Sequence, residues 1–229
     1  MLTAPMKTIP DKLIIRDLGT QDYEPIWQAM QTFTAERDET TPDELWCLEH
    51  PPIFTMGLNG KKEHLLNIKN IPVIDIDRGG QVTYHGPGQL VIYTLIDLKR
   101  LNLGVKDLVS AIEKSIIHLL KKYEINARGK ENAPGVYVNN EKIAALGLRI
   151  KRNKSYHGLS LNIEMDLAPF QQINPCGYEG MAVTQIKDLK PEIDLSRVKN
   201  DLVSHLSRLL GYSTDYIIYA EKLPKLINS

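Results

Sequence analysis

The sequence predicts an α+β fold, a single domain over residues 1–229 with a central mixed, largely antiparallel sheet flanked by a few helices. Short runs rich in β-branched and aromatic residues recur along the chain, bounded by Gly, Pro, Asn and Asp. Two longer segments repeat apolar residues at helical spacing. Between residues 136 and 163, successive strand-like runs are joined by turns too short for a crossover helix, so neighbours there run antiparallel.

The expected strands are 12–16, 45–48, 73–76, 90–98, 136–138, 143–150 and 158–163. After Gly104, residues Leu108, Ile112, Ile116 and Leu119 share one helical face while Lys114, Lys121 and Lys122 lie elsewhere, and the helix ends near Tyr123. A second helix has Asp194 or Ser196 as N-cap and Gly211 beyond its end, with Val198, Leu202, Leu206 and Leu209 facing inward. Residues 23–37 form a third, weaker candidate. No repeat, low-complexity tract or linker divides the chain.

Composition narrows the function. A hydrophobic fraction of 42% over 229 residues supports a real core and excludes a disordered chain. Lys+Arg and Asp+Glu balance at 28 each, so no global field holds nucleic acid or an anionic membrane. The longest mostly apolar run, 90–96, is far short of the ~18 residues a membrane span needs. The start Met1-Leu2-Thr3-Ala4-Pro5-Met6-Lys7 has no apolar leader core. These features together predict a cytoplasmic protein without nucleic-acid or membrane partners.

Two cysteines, Cys47 and Cys176, are too few for a disulfide scaffold and point to a reducing compartment. Cys47 lies in the apolar run Leu45-Trp46-Cys47-Leu48, where a small hydrophobe packs in a core. Cys47-x-x-His50 lacks the second ligand pair of a metal site, and no metal or cofactor is expected. Cys176 stands on the turn Asn174-Pro175-Cys176-Gly177-Tyr178, where a substrate can reach it. A nucleophilic thiol needs a partner, and His85, His157 and Lys142 are all candidates that spacing alone does not separate.

The densest glycine-bearing polar segment is Arg78-Gly79-Gly80-Gln81-Val82-Thr83-Tyr84-His85-Gly86-Pro87-Gly88-Gln89. Its glycines allow positive φ and close backbone approach to a ligand, although a wide hairpin loop has the same composition. It fits neither the phosphate-cradling loop of nucleoside triphosphatases nor the dinucleotide-binding glycine pattern.

Three segments match one family in order and spacing: the Arg78 segment through Leu90, Lys142-Ile143-Ala144-Ala145-Leu146-Gly147, and Asn174-Pro175-Cys176-Gly177 following His157-Gly158-Leu159-Ser160-Leu161-Asn162. They resemble the lipoyl(octanoyl) transferases of lipoate biosynthesis. Leu48-Glu49-His50-Pro51-Pro52-Ile53-Phe54-Thr55-Met56-Gly57 is similar to that family's early strand and loop, and Thr94 stands where many relatives carry proline.

The resemblance implies a fold similar to biotin and lipoate protein ligases, which is class II aminoacyl-tRNA synthetase-like. It implies transfer of an octanoyl group from octanoyl-acyl carrier protein to a specific lysine of lipoyl domains, those of 2-oxoacid dehydrogenases and the glycine cleavage H protein, by a monomer. By position, Cys176 would be the acyl-accepting nucleophile and Lys142 the cation that favours its thiolate. Arg78, Gly79, Gly80, Gln81, Val82, Thr83, Tyr84, His85, Ala145, Leu146, Gly147, Gly158, Leu159 and Ser160 would line the substrate pocket.

On chemical grounds the Leu146-Gly147-Leu148 stretch could offer backbone N–H groups to an oxyanion, and an octanoyl tail asks for a long apolar slot near Tyr84, His85 and Leu159. Acidic carrier domains would seek local positive patches, Arg149, Lys151, Arg152 and Lys154 first and Lys61-Lys62 second. Three rival readings remain: an ATP-dependent lipoate or biotin ligase, a non-catalytic acyl-carrier or lipoyl-domain binding module, and a Cys-His thiol hydrolase.

Overall fold

A computed structural model describes residues 12–131 and 133–224; the Met1 to Lys7 leader reading lies outside them. In chain order the elements are β1 (Leu13–Thr20), α1 (Tyr23–Glu36), β2 (Asp43–Glu49), β3 (Ile53–Met56), β4 (Val73–Asp75), β5 (Val82–His85), β6 (Gln89–Leu95), α2 (Leu98–Leu101), α3 (Val105–Lys122), β7 (Arg128–Gly129), β8 (Gly135–Val138), β9 (Glu141–Lys151), β10 (Lys154–Asn162), α4 (Ile186–Leu189), α5 (Val198–Leu209) and β11 (Ile217–Ala220).

The fold is α+β. Eight strands form one sheet in the order β11-β1-β2-β6-β10-β9-β8-β7, and β4-β3-β5 form a second. β1 runs parallel to β2 and β11, while the stretch from β2 through β6, β10, β9 and β8 to β7 is antiparallel throughout. The single central sheet expected from sequence is therefore two sheets. The 73–76 run joins the small one, and β5 emerges from within the Arg78 segment, whose flanking glycines read as a loop although Val82-Thr83-Tyr84 are strand-forming types. The strand expected at 90–98 stops at Leu95, because Asp97 accepts from the Arg100 N–H and starts α2.

One face of the large sheet carries α3 and α5. Leu108, Ile112, Ile116 and Leu119 are fully buried there, as are Val198, Leu202 and Leu206. Leu209 is 37% exposed instead of inward, and Leu210 takes its place by continuing the i+4 row from Leu202 and Leu206. Cys47 sits in this core, and burial pushes its thiol up to about 12. The opposite face packs Trp46, Leu48, Val91, Tyr93 and Leu95 against Ile26, Met30 and Phe33 of α1. Each such side chain contributes about 1.5–3 kcal/mol when fully buried.

A local irregularity in β9 positions the site. Val136 pairs with Ala144 but Tyr137 pairs with Lys142, so Ile143 is an extra residue on β9. Ile143 and Ala144 consequently both enter the α3-side core, and Lys142 is turned to the other face, the one shared by Ala145 and Gly147.

Candidate active site

Cys176 occupies a one-turn 3₁₀ segment, Pro175–Gly177, with φ +57°. That left-handed conformation costs a residue with a Cβ roughly 1–2 kcal/mol; here it presents a half-buried thiol to the sheet. The turn is anchored by the Asn174 N–H on the His64 carbonyl at 2.9 Å. On the facing strand, the Lys142 N–H donates to Ala182 O at 2.9 Å and its carbonyl accepts from Thr184 N at 3.0 Å, which ties β9 to the chain leaving the turn.

The Lys142 ammonium reaches to 3.0 Å from Cys176 Sγ, 3.4 Å from the Pro134 carbonyl and 5.2 Å from the Tyr137 ring centroid. Burial pulls the Lys142 pKa down, but the charge and hydrogen bond of Cys176 outweigh it, and the net direction is up. Neither histidine candidate meets the thiol: His85 bonds Gln89 and Thr55, and His157 bonds Asp77.

Beside the pair lies a cavity of about 330 Å³. Small side chains pave its sheet-side floor. Gly158 is required there, since a Cβ would fall 2.0 Å from the Ile92 carbonyl, and a Cβ on Gly147 would meet Arg78 Cδ at 2.8 Å. All the anticipated residues except Tyr84 line this cavity, Cys176 and Lys142 among them. Tyr84 instead packs between Phe54, tilted, and Phe170, edge-on, because Thr83 and His85 take the cavity side of β5 and alternation sends Tyr84 the other way.

Sequence reading placed Arg78 and His85 in the pocket but did not single out the polar partners that hold these walls. Arg78 is buried and donates to Gly79 O, Thr55 O and Thr55 Oγ1, all neutral, and burial lowers its pKa. The Thr55 hydroxyl, already an acceptor from Arg78, donates to His85 Nε2 at 3.4 Å. His85 Nδ1–H in turn donates to Gln89 Oε1 at 2.7 Å, and Gln89 Nε2 donates to Asn162 Oδ1. Burial, helped by nearby His50, lowers the His85 pKa to about 3.

His157 has φ +58° within β10. That kink brings the rings of neighbouring Tyr156 and His157 onto one side, stacked 5.1 Å apart, where both donate to Asp77. Trp27 Nε1 and Gln31 Nε2 add two more donors at 2.8 and 3.2 Å. Burial works against the Asp77 charge, yet these donors hold its carboxyl well below the ordinary range. The one available signal was position: Asp77 immediately precedes Arg78.

Residues 22–207 match the lipoyl protein ligase A/B catalytic domain family. The chain is 58% identical over 200 residues to the octanoyltransferase of Shewanella sp. (strain ANA-3), covering 87% of this chain and 92% of that protein. It is 57% identical over 202 residues to the octanoyltransferase of Vibrio cholerae serotype O1, covering 88% and 93%. The chain belongs to this octanoyltransferase family. Solved structures share its fold at low identity. A putative lipoate protein ligase from T. acidophilum superposes with a TM-score of 0.72 at 15% identity, covering 92% of this chain and 88% of that one. The biotin protein ligase from Aquifex aeolicus in complex with biotin and ATP gives 0.54 at 14%, covering 87% and 70%.

One expectation for the octanoyltransferase site needs correction. The Leu148 carbonyl accepts from the Gly79 N–H at 3.0 Å on the outer edge of β9, so by alternation the Gly147 N–H points inward to its ladder partner Gly158. It offers nothing to an oxyanion at Cys176. The Arg149 to Lys154 patch runs from beside Leu148, which lines the cavity, to Arg152 at the β9–β10 turn, ten residues or about 33 Å of strand from Lys142. The Lys61 N–H bonds Gln81 Oε1, and Lys62 starts the 3₁₀ turn (Lys62–His64) that holds Asn174.

Proposed function

We propose that this octanoyltransferase carries an octanoyl group from octanoyl-acyl carrier protein to one lysine of a lipoyl domain through a thioester on Cys176, with Lys142 handling the protons. The 3.0 Å contact between Lys142 Nζ and Cys176 Sγ, beside a slot floored by small residues, carries this reading.

In the first half-reaction the Cys176 thiolate attacks the carrier thioester. A new C–S bond forms, the carrier C–S bond breaks, and the departing carrier thiolate takes a proton from the Lys142 ammonium. The exchange is between thioesters of similar energy and needs no ATP. Having given up that proton, Lys142 is left as an amine; acylation removes the charge and hydrogen bond of Cys176 that raise its pKa, while burial still lowers it and the Tyr137 contact still raises it. In the second half-reaction the acceptor lysine attacks as an amine, its proton passes to Lys142, and Cys176 leaves as thiolate, which restores the starting pair.

The donor is acyl carrier protein, and the acceptors are the lipoyl domains of 2-oxoacid dehydrogenases and the glycine cleavage H protein. A single catalytic domain in the cytoplasm, where thiols stay reduced, suits this chemistry. The deciding measurement is intact-protein mass after incubation with octanoyl-carrier protein in the absence of ATP. One octanoyl increment on Cys176, lost in Cys176→Ala, is expected. Activity that requires ATP and tolerates Cys176→Ala would instead assign a ligase.

A further inference from the structure

The slot has a built end. Facing the site on the large sheet, one row runs Ala145, Ser160, Val91 across β9, β10 and β6, and the next runs Gly147, Gly158, Tyr93. Everything on these rows is small except Tyr93, the first large ring met on leaving Cys176. Cys176 shares a small enclosed space with Ala145 and Ser160, so the thiol lies against the first row. The second row is two residues, about 7 Å, further along. Adding the gap from the sulfur to the first row gives a run of roughly 10 Å, against ~9 Å for an extended eight-carbon acyl chain built from C–C bonds of ordinary length.

Tyr93 is fixed from behind. His50 Nδ1 lies 2.6 Å from the Gln21 carbonyl, which accepts only, so Nδ1 carries the hydrogen and Nε2 is an acceptor. The Tyr93 hydroxyl therefore donates to His50 Nε2 at 2.7 Å, and Tyr23 lies beside it. His50 is fully buried, and Tyr23 and Tyr93 are each under 5% exposed. Pushing the ring aside breaks buried hydrogen bonds that an alkyl chain cannot replace.

A fixed stop matters because an open apolar slot favours longer chains. Each further buried methylene strengthens binding about fourfold. We propose that Tyr93, braced by His50 and Tyr23, is the residue that limits the acyl group to about eight carbons by closing the far end of the slot. This rests on the acyl-transfer reading above.

The test measures initial rates of Cys176 acylation, by intact-protein mass, from carrier protein loaded with hexanoyl, octanoyl, decanoyl, dodecanoyl or tetradecanoyl groups. The full chain is compared with Tyr93→Leu, Tyr93→Ala and Ser160→Val. Wild type should prefer octanoyl and fall at least tenfold by dodecanoyl. The Tyr93 variants should raise the dodecanoyl to octanoyl ratio tenfold or more. Ser160→Val narrows the near row and should shift preference toward hexanoyl, which keeps the idea testable if the Tyr93 variants fold poorly. An unchanged ratio in a folded Tyr93 variant overturns the proposal. So does a chain-length shift produced instead by Val109→Trp, on the α3 side of the cavity. Absence of any acyl adduct on wild-type Cys176 would overturn the transfer reading itself, a result distinct from either.

Discussion

Tyr137 pairs with Lys142 across a register shift, and the extra residue Ile143 turns Lys142 out of the α3-side core toward Cys176. Without that bulge the side chain would point at Leu108 and Ile112, where an unpaired ammonium would not be tolerated. The close approach of Lys142 and Cys176 is thus made by a backbone irregularity on one side and a left-handed thiol turn on the other.

Lys142 should act with opposite sign in the two half-reactions. Its pKa is raised in the free enzyme by the charge and hydrogen bond of Cys176, and acylation removes both while burial and the Tyr137 contact remain. Lys142→Met should slow both acylation of Cys176 and aminolysis of isolated acyl-enzyme, each by about 10²–10⁴-fold. Site-specific ¹⁵N NMR of the Lys142 side chain should find it titrating lower in octanoyl-enzyme than in free enzyme. The same titration in both forms would remove the amine base from the mechanism.

Acid should destabilise the fold in two windows. The His50 and His85 pKa values are lowered to about 4 and about 3, chiefly by burial, so both are neutral in the native state. The unfolded chain binds more protons below pH ~6.5, so stability is full above that pH and is lost as pH falls toward 4, by about 3 kcal/mol for His50 alone. The Asp77 carboxyl lies below its ordinary range, so its contribution is present above pH ~4 and is lost as pH falls further. Urea unfolding should show His50→Gln flattening the upper window only. Asp77→Asn should cost about 2 kcal/mol at pH 7, with the gap from wild type closing below pH 4.

Carrier docking should be felt at Lys61 and Lys62. They flank Gln81 and the turn under Asn174, whereas Arg152 stands at the far hairpin tip. Reversing Lys61 and Lys62 to Glu should raise KM for acyl carrier protein several-fold and weaken its salt dependence, and Arg152→Glu should change neither. Steady-state kinetics at two ionic strengths checks this; equal effects at both patches would refute it.

What sequence reading could reach follows from locality. The apolar face of α3, that of α5 apart from Leu209, and the 136–163 meander depend on near-neighbour periodicity and short turns, and they stand where expected; Asp194 instead caps a 3₁₀ turn (Leu195–Arg197) just before α5. The gathering of Cys176, Lys142 and the Arg78 segment around one cavity was anticipated through motif resemblance. β5 was hidden because its small sheet is completed by β3, a strand thirty residues away in sequence. The Ile143 bulge was equally hidden, since register is a property of two strands together. Asp77, His50 and Tyr93 act through partners 29 to 80 residues distant in sequence, which no local pattern encodes.

The Cys176 turn gives the last expectation a direction that contact counting would miss. Cys176 has φ +57°, and Gly177 beside it has φ +78°. Replacing Cys176 with Ala or Gly removes the thiol equally, and both variants should be dead in acyl transfer. They should differ in stability. Alanine keeps the Cβ and its penalty in the left-handed region, about 1–2 kcal/mol. Glycine avoids it but gives up roughly 0.4–1 kcal/mol to the greater freedom of the unfolded chain. The balance favours Cys176→Gly over Cys176→Ala by about 0.5–1 kcal/mol, which urea unfolding of the two proteins side by side would resolve. If alanine proves the more stable, the positive φ at Cys176 is not a cost the fold carries, and the thiol is presented without strain.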